Sequence, residues 1–248
     1  MSLLVTFLLH RRYSLHQDYI KLTKFPIISV MHRERVVLIG TGGLGRETLW
    51  ALREIGDQGP EVLGFLTNRD AEHGTDVCGT PVLGPESWIV GRPDVKAICC
   101  IGDPRARRNV VLSLERQAVQ FATVIHPSAL RSAHVHLGAG CVVGARAVLT
   151  TQVTLGDHVV IGVGAIVSHD SQLEDFATLG PGVVLAGGTT VQYGAELGAG
   201  ATVVPRSTIS RGARVGAQAV VIHDVPPNTT VAGVPAKQLS SFPRDQWL

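Results

Sequence analysis

Aromatic side chains are scarce, 5% of the 248 residues, so the core cannot rest on large rings and falls to aliphatic and small side chains. Charge is scarce and balanced as well. With 17% charged residues and a formal net charge of +2, nothing supplies the basic field a nucleic-acid partner requires. No apolar run approaches the roughly 20 residues of a membrane-spanning helix, and no membrane insertion is expected. Four cysteines, Cys78, Cys99, Cys100 and Cys141, show no metal-ligand spacing. Cys99 and Cys100 lie in an apolar run and read as buried thiols of a reducing compartment, the cytoplasm.

Glycine, by contrast, is plentiful at 28 residues, and much of it falls in a strict repeat. From Leu137 to Val221 an aliphatic residue occupies every sixth position: Leu137, Val143, Leu149, Leu155, Ile161, Val167, Leu173, Leu179, and on through Leu185, Leu197, Ile209 and Val221. Neither the 3.6-residue period of a helix nor the two-residue period of a strand produces a strict six. The residue four positions on is small or apolar, as at Cys141, Ala147, Ala165, Ala177 and Ala219, and glycine often follows the aliphatic. A hexapeptide repeat of this kind predicts a parallel β-helix. Each hexad is one short strand and a corner, the aliphatic side chain points into a narrow prism, and three hexads close one coil. Residues eighteen apart then stack about 4.8 Å from each other.

Residues 1–32 resemble neither neighbouring region. Their apolar stretch, Leu3 to Leu9, is followed by His10-Arg11-Arg12, so the positive charge trails the apolar segment and no small-residue cleavage site follows. A secretory signal is not expected. The segment reads as a disordered or dispensable extension, with Met31 standing just before the first domain.

Val36 to Ile39 is a short apolar strand, followed at once by Gly40-Thr41-Gly42-Gly43-Leu44-Gly45 and a helix from Arg46. A strand, a glycine turn and a helix set backbone N–H groups at a positive helix end, where a phosphate binds. A dinucleotide site also needs an acidic residue at the end of the second strand. The strand Val62–Leu66 ends instead in Thr67-Asn68-Arg69, which disfavours a nicotinamide enzyme. Val95–Ile101 reads as another buried strand, ending in Gly102-Asp103, and Arg105 to Leu114 as a helix with Arg107 on its solvated face. Strands alternating with helices predict a small parallel sheet of Rossmann type over residues 33–122, with any ligand at the strand C-terminal ends. Gly42, Gly43, Thr67, Asn68 and Gly102 gather there; with Leu44 of the same turn they are the candidate substrate-binding residues. His126-Pro127 marks the crossing into a β-helix expected over 123–238, and 239–248 reads as a C-terminal tail.

Five stretches, in this order, carry a resemblance: Ile39 to Glu47, Val124-Ile125-His126-Pro127-Ser128-Ala129, Ile166-Val167-Ser168-His169-Asp170, Leu185-Ala186-Gly187-Gly188, and Val231 to Lys237. Residues 33–238 resemble the NeuD/PglD-type sugar O- or N-acetyltransferases of the hexapeptide-repeat superfamily. The resemblance implies a left-handed β-helix, a homotrimer, and acetyl-CoA in the groove between neighbouring prisms. It implies His169 as general base, Asp170 as the acidic helper that fixes its tautomer, and Gly187 as the backbone oxyanion donor. Thr178, Ala199 and Ala217 match the family's CoA-contacting positions, and Lys237 is placed to meet a CoA phosphate. The substrate it implies is a nucleotide-linked amino sugar, with a sialic acid or related sugar hydroxyl as the alternative acceptor. The setting it implies is polysaccharide biosynthesis. Two positions depart from the pattern: Thr178 stands where family members often carry histidine, and Thr67-Asn68 where they often carry an Asp pair.

The residues agree with this chemistry on their own terms. His169 lies two positions after Val167, so its side chain leaves the prism, and imidazole as a class exchanges protons near neutral pH. No cysteine or serine is paired to support a covalent intermediate. The γ-class carbonic anhydrases share the prism but need three zinc histidines that include a His-x4-His pair. His134, His136, His158, His169 and His223 contain no such pair, and no metal is expected. The remaining alternative is a non-catalytic trimeric scaffold that binds a sugar nucleotide.

Overall fold

The computed structural model describes residues 33–239; the expectations for the extension 1–32 and for the tail from 240 onward lie outside them. β1 (Arg35–Ile39), β2 (Glu61–Leu66), β3 (Val82–Gly84) and β4 (Val95–Cys99) form a parallel sheet in the order β3-β2-β1-β4. Its central strand is buried on both faces from Val36 to Ile39, which explains the unbroken aliphatic run. α1 (Gly43–Ile55) packs Leu49, Ala51 and Leu52 against it. Close approach of helix and strand depends on Gly45, where a Cβ would run into the carbonyl of Gly40. α2 (Pro104–Glu115) starts with proline in its first turn, and the Asp103 side chain caps it by accepting from the Ala106 N–H at 2.8 Å.

The repeat folds as its period requires. Val160 pairs in parallel with Val142 and Thr178, eighteen residues to either side, and the same register recurs around the prism. Every aliphatic of the series from Val143 to Val221 is buried in one continuous column. The corner residue three after each aliphatic adopts the left-handed conformation at every sixth position from Gly140 to Gln218, including Arg146, His158, Asp170, Phe176 and Arg206.

Three faces and three edges result. The first face carries the strands Val124–Ile125, Val142–Val143, Val160–Ile161, Thr178–Leu179, Glu196–Leu197 and Arg214–Val215. The second carries Leu130–Arg131, Val148–Leu149, Ile166–Val167, Val184–Leu185, Thr202–Val203 and Val220–Val221, and the third Val135–Leu137 through Thr208–Ile209. The α/β layer covers the lower part of the first face. Val124, Val142 and Val160 point outward there, yet they are buried in the same cluster as Val36, Leu38, Leu49 and Phe65. The two parts therefore share a core.

Arg107 corrects the sequence reading. It is fully buried, not solvated. Its Nε donates to the His158 carbonyl at 3.1 Å, Nη1 to those of Ile101 and Gly102 at 2.8 and 2.9 Å, and Nη2 to the Phe176 carbonyl and Thr178 Oγ1 at 2.8 and 2.7 Å. Burial pushes its pKa down to about 10, so it stays cationic at neutral pH. The guanidinium fork ties the end of β4 to the prism through neutral oxygens alone. Nothing in the local pattern of α2 distinguishes Arg107 from Arg105 or Arg108.

Beside it, His158 stacks on Phe176 at 5.2 Å and meets Phe121 edge-on at 4.8 Å, with Nε2 3.4 Å from Glu115 Oε1. Burial holds its pKa below the ordinary imidazole value, with Glu115 and Asp157 opposing that shift and Arg107 adding to it. A histidine depressed in the folded state contributes stability that is fully present above about pH 6.5 and is lost as pH falls from there toward the folded pKa. We expect the melting temperature to fall between pH 7 and 5 and His158→Gln to flatten that slope, by calorimetry across the range. An unchanged slope would exclude His158 as the titrating group.

Candidate active site

The C-terminal ends of the four strands open into a cavity of about 510 Å³, lined by Gly40–Leu44, Thr67–Arg69, Glu86 and Cys100–Gly102. All six candidate substrate-binding residues, Gly42, Gly43, Leu44, Thr67, Asn68 and Gly102, come together there. Gly42 and Gly43 stand at the N-terminus of α1 with open space above them, and no side chain caps that end. The free N–H groups and the helix dipole favour an anion at this point. Thr67 is buried, its hydroxyl accepting from the Arg69 N–H at 3.3 Å, whereas Asn68 is exposed on the rim. The reading from sequence missed Thr41, Arg69 and Glu86. Thr41 donates to Glu72 at 2.5 Å, which with Arg69 holds that carboxyl below its usual range.

His169 stands on the second edge, between the second and third faces, and its side chain is 63% exposed. Its Nδ1 lies 2.7 Å from Asp170 Oδ2. An ionised carboxylate can only accept, so the proton sits on Nδ1 and leaves the Nε2 lone pair free. Asp170 is held at φ 61° by the corner, a conformation that Asp and Asn tolerate better than most residues. The next coil places Gly187 directly over the imidazole: a Cβ there would come within 2.6 Å of Nε2. The Gly188 N–H donates to the His169 carbonyl at 2.8 Å, while the Gly187 N–H has no acceptor among the described residues.

Ala199 and Ala217 are exposed and stacked on the first edge, between the first and second faces. Their N–H groups, like that of Val163 below them, also lack acceptors among the described residues. Lys237 pairs with Ala232, which stands above Gly216 at the top of the same edge. At its foot, Val163, Ala145 and His126 meet Glu47, Trp50 and Leu44 of α1 in a narrow cleft. Leu44 also lines the larger cavity, so the two spaces adjoin. Thr178 lies apart from this ladder. It faces out of the first face beneath α2, is buried, and its hydroxyl accepts from Arg107 Nη2.

No protein-family model matches the chain, and no curated protein does. Solved structures do. Perosamine N-acetyltransferase from Caulobacter crescentus, solved as a histidine-to-asparagine mutant in complex with CoA and GDP-perosamine, is 33% identical over 83% of this chain and 97% of that one, with a TM-score of 0.77. The acetyltransferase domain of PglB from Neisseria gonorrhoeae FA1090, in complex with acetyl coenzyme A, is 32% identical over 84% of this chain and 100% of that one, at 0.78. The chain belongs to the hexapeptide-repeat sugar N-acetyltransferases. WeeI from Acinetobacter baumannii AYE lies further off, at 26% identity over 82% of this chain and 99% of that one, with a TM-score of 0.74. The expected class, a Rossmann-like layer followed by a left-handed β-helix, is thereby borne out.

As a sugar N-acetyltransferase the chain carries no usable thiol nucleophile in its core. Burial raises the pKa of Cys99 and Cys100 to about 12 and that of Cys141 to about 11, so all three stay protonated at neutral pH. Among the described residues no group of three or more His, Cys, Asp or Glu side chains is placed to hold a metal ion, and no helix is long and apolar enough to cross a membrane.

Proposed function

We propose that this acetyltransferase moves the acetyl group of acetyl-CoA directly to the amino group of a nucleotide-linked amino sugar. The observation that carries the mechanism is the exposed His169–Asp170 pair beneath the unpartnered Gly187 N–H. The amine nitrogen attacks the thioester carbonyl carbon while His169 Nε2 takes its proton, and Asp170 holds the resulting imidazolium. The Gly187 N–H donates to the oxyanion. Collapse breaks the C–S bond, and the proton on Nε2 passes to the departing sulfur. The nucleotide diphosphate binds the N-terminus of α1 at Gly42, Gly43 and Leu44, with Thr67, Asn68 and Gly102 around it. The N–H groups of Ala199 and Ala217 meet the pantetheine amides, and Lys237 a CoA phosphate.

His169 and the Ala199–Ala217 ladder occupy different edges of one prism, so a single chain cannot join them. The second face lies between those edges, and its outward residues are mostly apolar: Leu130 at 66% exposure, Ile166 at 38%, and Val148, Val184 and Val220. The third face instead presents His136, Thr154, Gln172, Thr190 and Thr208. Burying the second face about a threefold axis removes that apolar surface from water. The second edge of one prism then meets the first edge of the next. Val163 and His169 belong to the same coil, so with parallel axes the neighbour's base arrives at the height of Val163, beside Leu44 and the nucleotide cavity. The homotrimer completes the site.

The test is release of free thiol from acetyl-CoA with UDP-, GDP- and dTDP-linked 4-amino sugars set against free sugars. Turnover on a nucleotide-linked amino sugar is expected. Turnover restricted to free sugars, or to none, would overturn the reading.

A further inference from the structure

The acidic residue missing from the end of β2 has a counterpart one strand further out. β3 ends at Gly84, and after Pro85 the chain turns at Glu86, which lines the same cavity as the glycine turn. The Glu86 N–H donates to Asn68 Oδ1 at 3.1 Å, which ties the turn after β3 to the end of β2. Among the described residues no basic side chain pairs with Glu86. Burial raises its pKa, with Asn68 opposing the shift. The carboxylate is thus a half-buried acceptor without a counter-charge, facing a space built for a ligand.

Its place in the sheet says which part of a nucleotide it meets. Phosphates belong at the turn after β1, and the end of β2, one strand spacing away, reaches the ribose. Glu86, at the end of β3, lies two spacings or about 9.6 Å from the phosphate turn. The base is the part of a nucleoside diphosphate farthest from its phosphates. We infer that Glu86 reads the nucleobase and selects guanine. Guanine offers a carboxylate two adjacent donors, N1–H and the N2 amino group. Uracil and thymine offer a single N3–H between two carbonyl oxygens, which repel it. The inference rests on the nucleotide-sugar reading above and adds the identity of the base.

Binding of GDP, dGDP, UDP and dTDP alone, by titration calorimetry on the intact protein, tests this without acetyl transfer. The wild type should bind GDP and dGDP roughly ten- to a hundredfold more tightly than UDP, as one bidentate base contact allows. Glu86→Gln should remove most of that margin while leaving UDP unchanged or improved, because an amide can pair with N3–H and a carbonyl together. Glu86→Ala should weaken GDP binding without helping UDP. A wild-type preference for UDP or dTDP, or equal weakening of all four ligands by Glu86→Gln, would overturn the inference, the latter marking a structural or ribose contact. GDP binding without thiol release would sink the proposed reaction and leave the base readout standing. Equal turnover with all three nucleotide sugars would sink the base readout alone.

Discussion

Replacing His169 with alanine lowers kcat by about 10²–10⁴-fold, the range that a positioned general base supplies, and leaves the melting temperature nearly unchanged. Both halves of this expectation follow from position. The side chain is 63% exposed and its one side-chain partner among the described residues is Asp170, so its removal opens no cavity and orphans no buried group. Two companion variants separate chemistry from structure. Asp170→Asn keeps a residue that tolerates the φ of 61°, but its NH₂ can donate to Nδ1 and shift the ring proton to Nε2, which removes the base without removing the ring. Gly187→Ala leaves the imidazole chemically intact and displaces it, because the new methyl takes the space beside Nε2. Gly187 does not have a positive φ, so alanine brings no backbone strain. Steady-state kinetics with matched calorimetry checks all three. Full activity in His169→Ala would exclude this histidine as the base. The proposed homotrimer adds one more expectation: mixing inactive His169→Ala chains with chains disabled at Gly43 restores part of the activity, since some interfaces then pair an intact His169 with an intact cavity.

Replacing Arg107 with methionine destabilises the fold by about 3–5 kcal/mol, since each buried acceptor left unsatisfied costs about 1–3 kcal/mol and the loss of a desolvated charge offsets part of the sum. At this chain length that corresponds to roughly 6–20 °C in melting temperature. The cost arises because the carbonyls of His158, Phe176, Ile101 and Gly102 and the Thr178 hydroxyl each lose a buried donor at once. Lysine does not substitute, since a compact ammonium has three donors and cannot span five oxygens spread over three segments. Ile101 and Gly102 line the cavity proposed to hold the nucleotide, so nucleotide affinity should fall together with stability. Calorimetry of Arg107→Met and Arg107→Lys, with nucleotide titration of whichever variant remains folded, checks this. A melting temperature within about 2 °C of wild type would show that the network carries no net stability.

The hexad series was sufficient to determine the prism, its register and the direction of each side chain, because a six-residue period admits no other regular packing and every inward aliphatic from Val143 to Val221 is local information. The glycine turn after β1 was legible for the same reason: Gly45 answers a contact only five residues away, at Gly40. The resemblance added the handedness and the roles proposed for His169 and Asp170, which the period alone does not contain. Tertiary structure decided the rest. Arg107 became the link between sheet and prism through partners as far as Thr178, 71 positions away. The same contact holds the buried Thr178 hydroxyl beneath α2. Glu86 reached the ligand cavity because β3 pairs beside β2, a neighbour relation absent from the local pattern. His169 and the Ala199–Ala217 ladder fell on different edges because three hexads make a coil, which turns a linear spacing into an angle about an axis. Residues set by a repeat or a tight turn answer to their own neighbours in the chain, and those can be read in order. Residues set by where two surfaces meet answer to the packing, and only the folded chain brings their partners together.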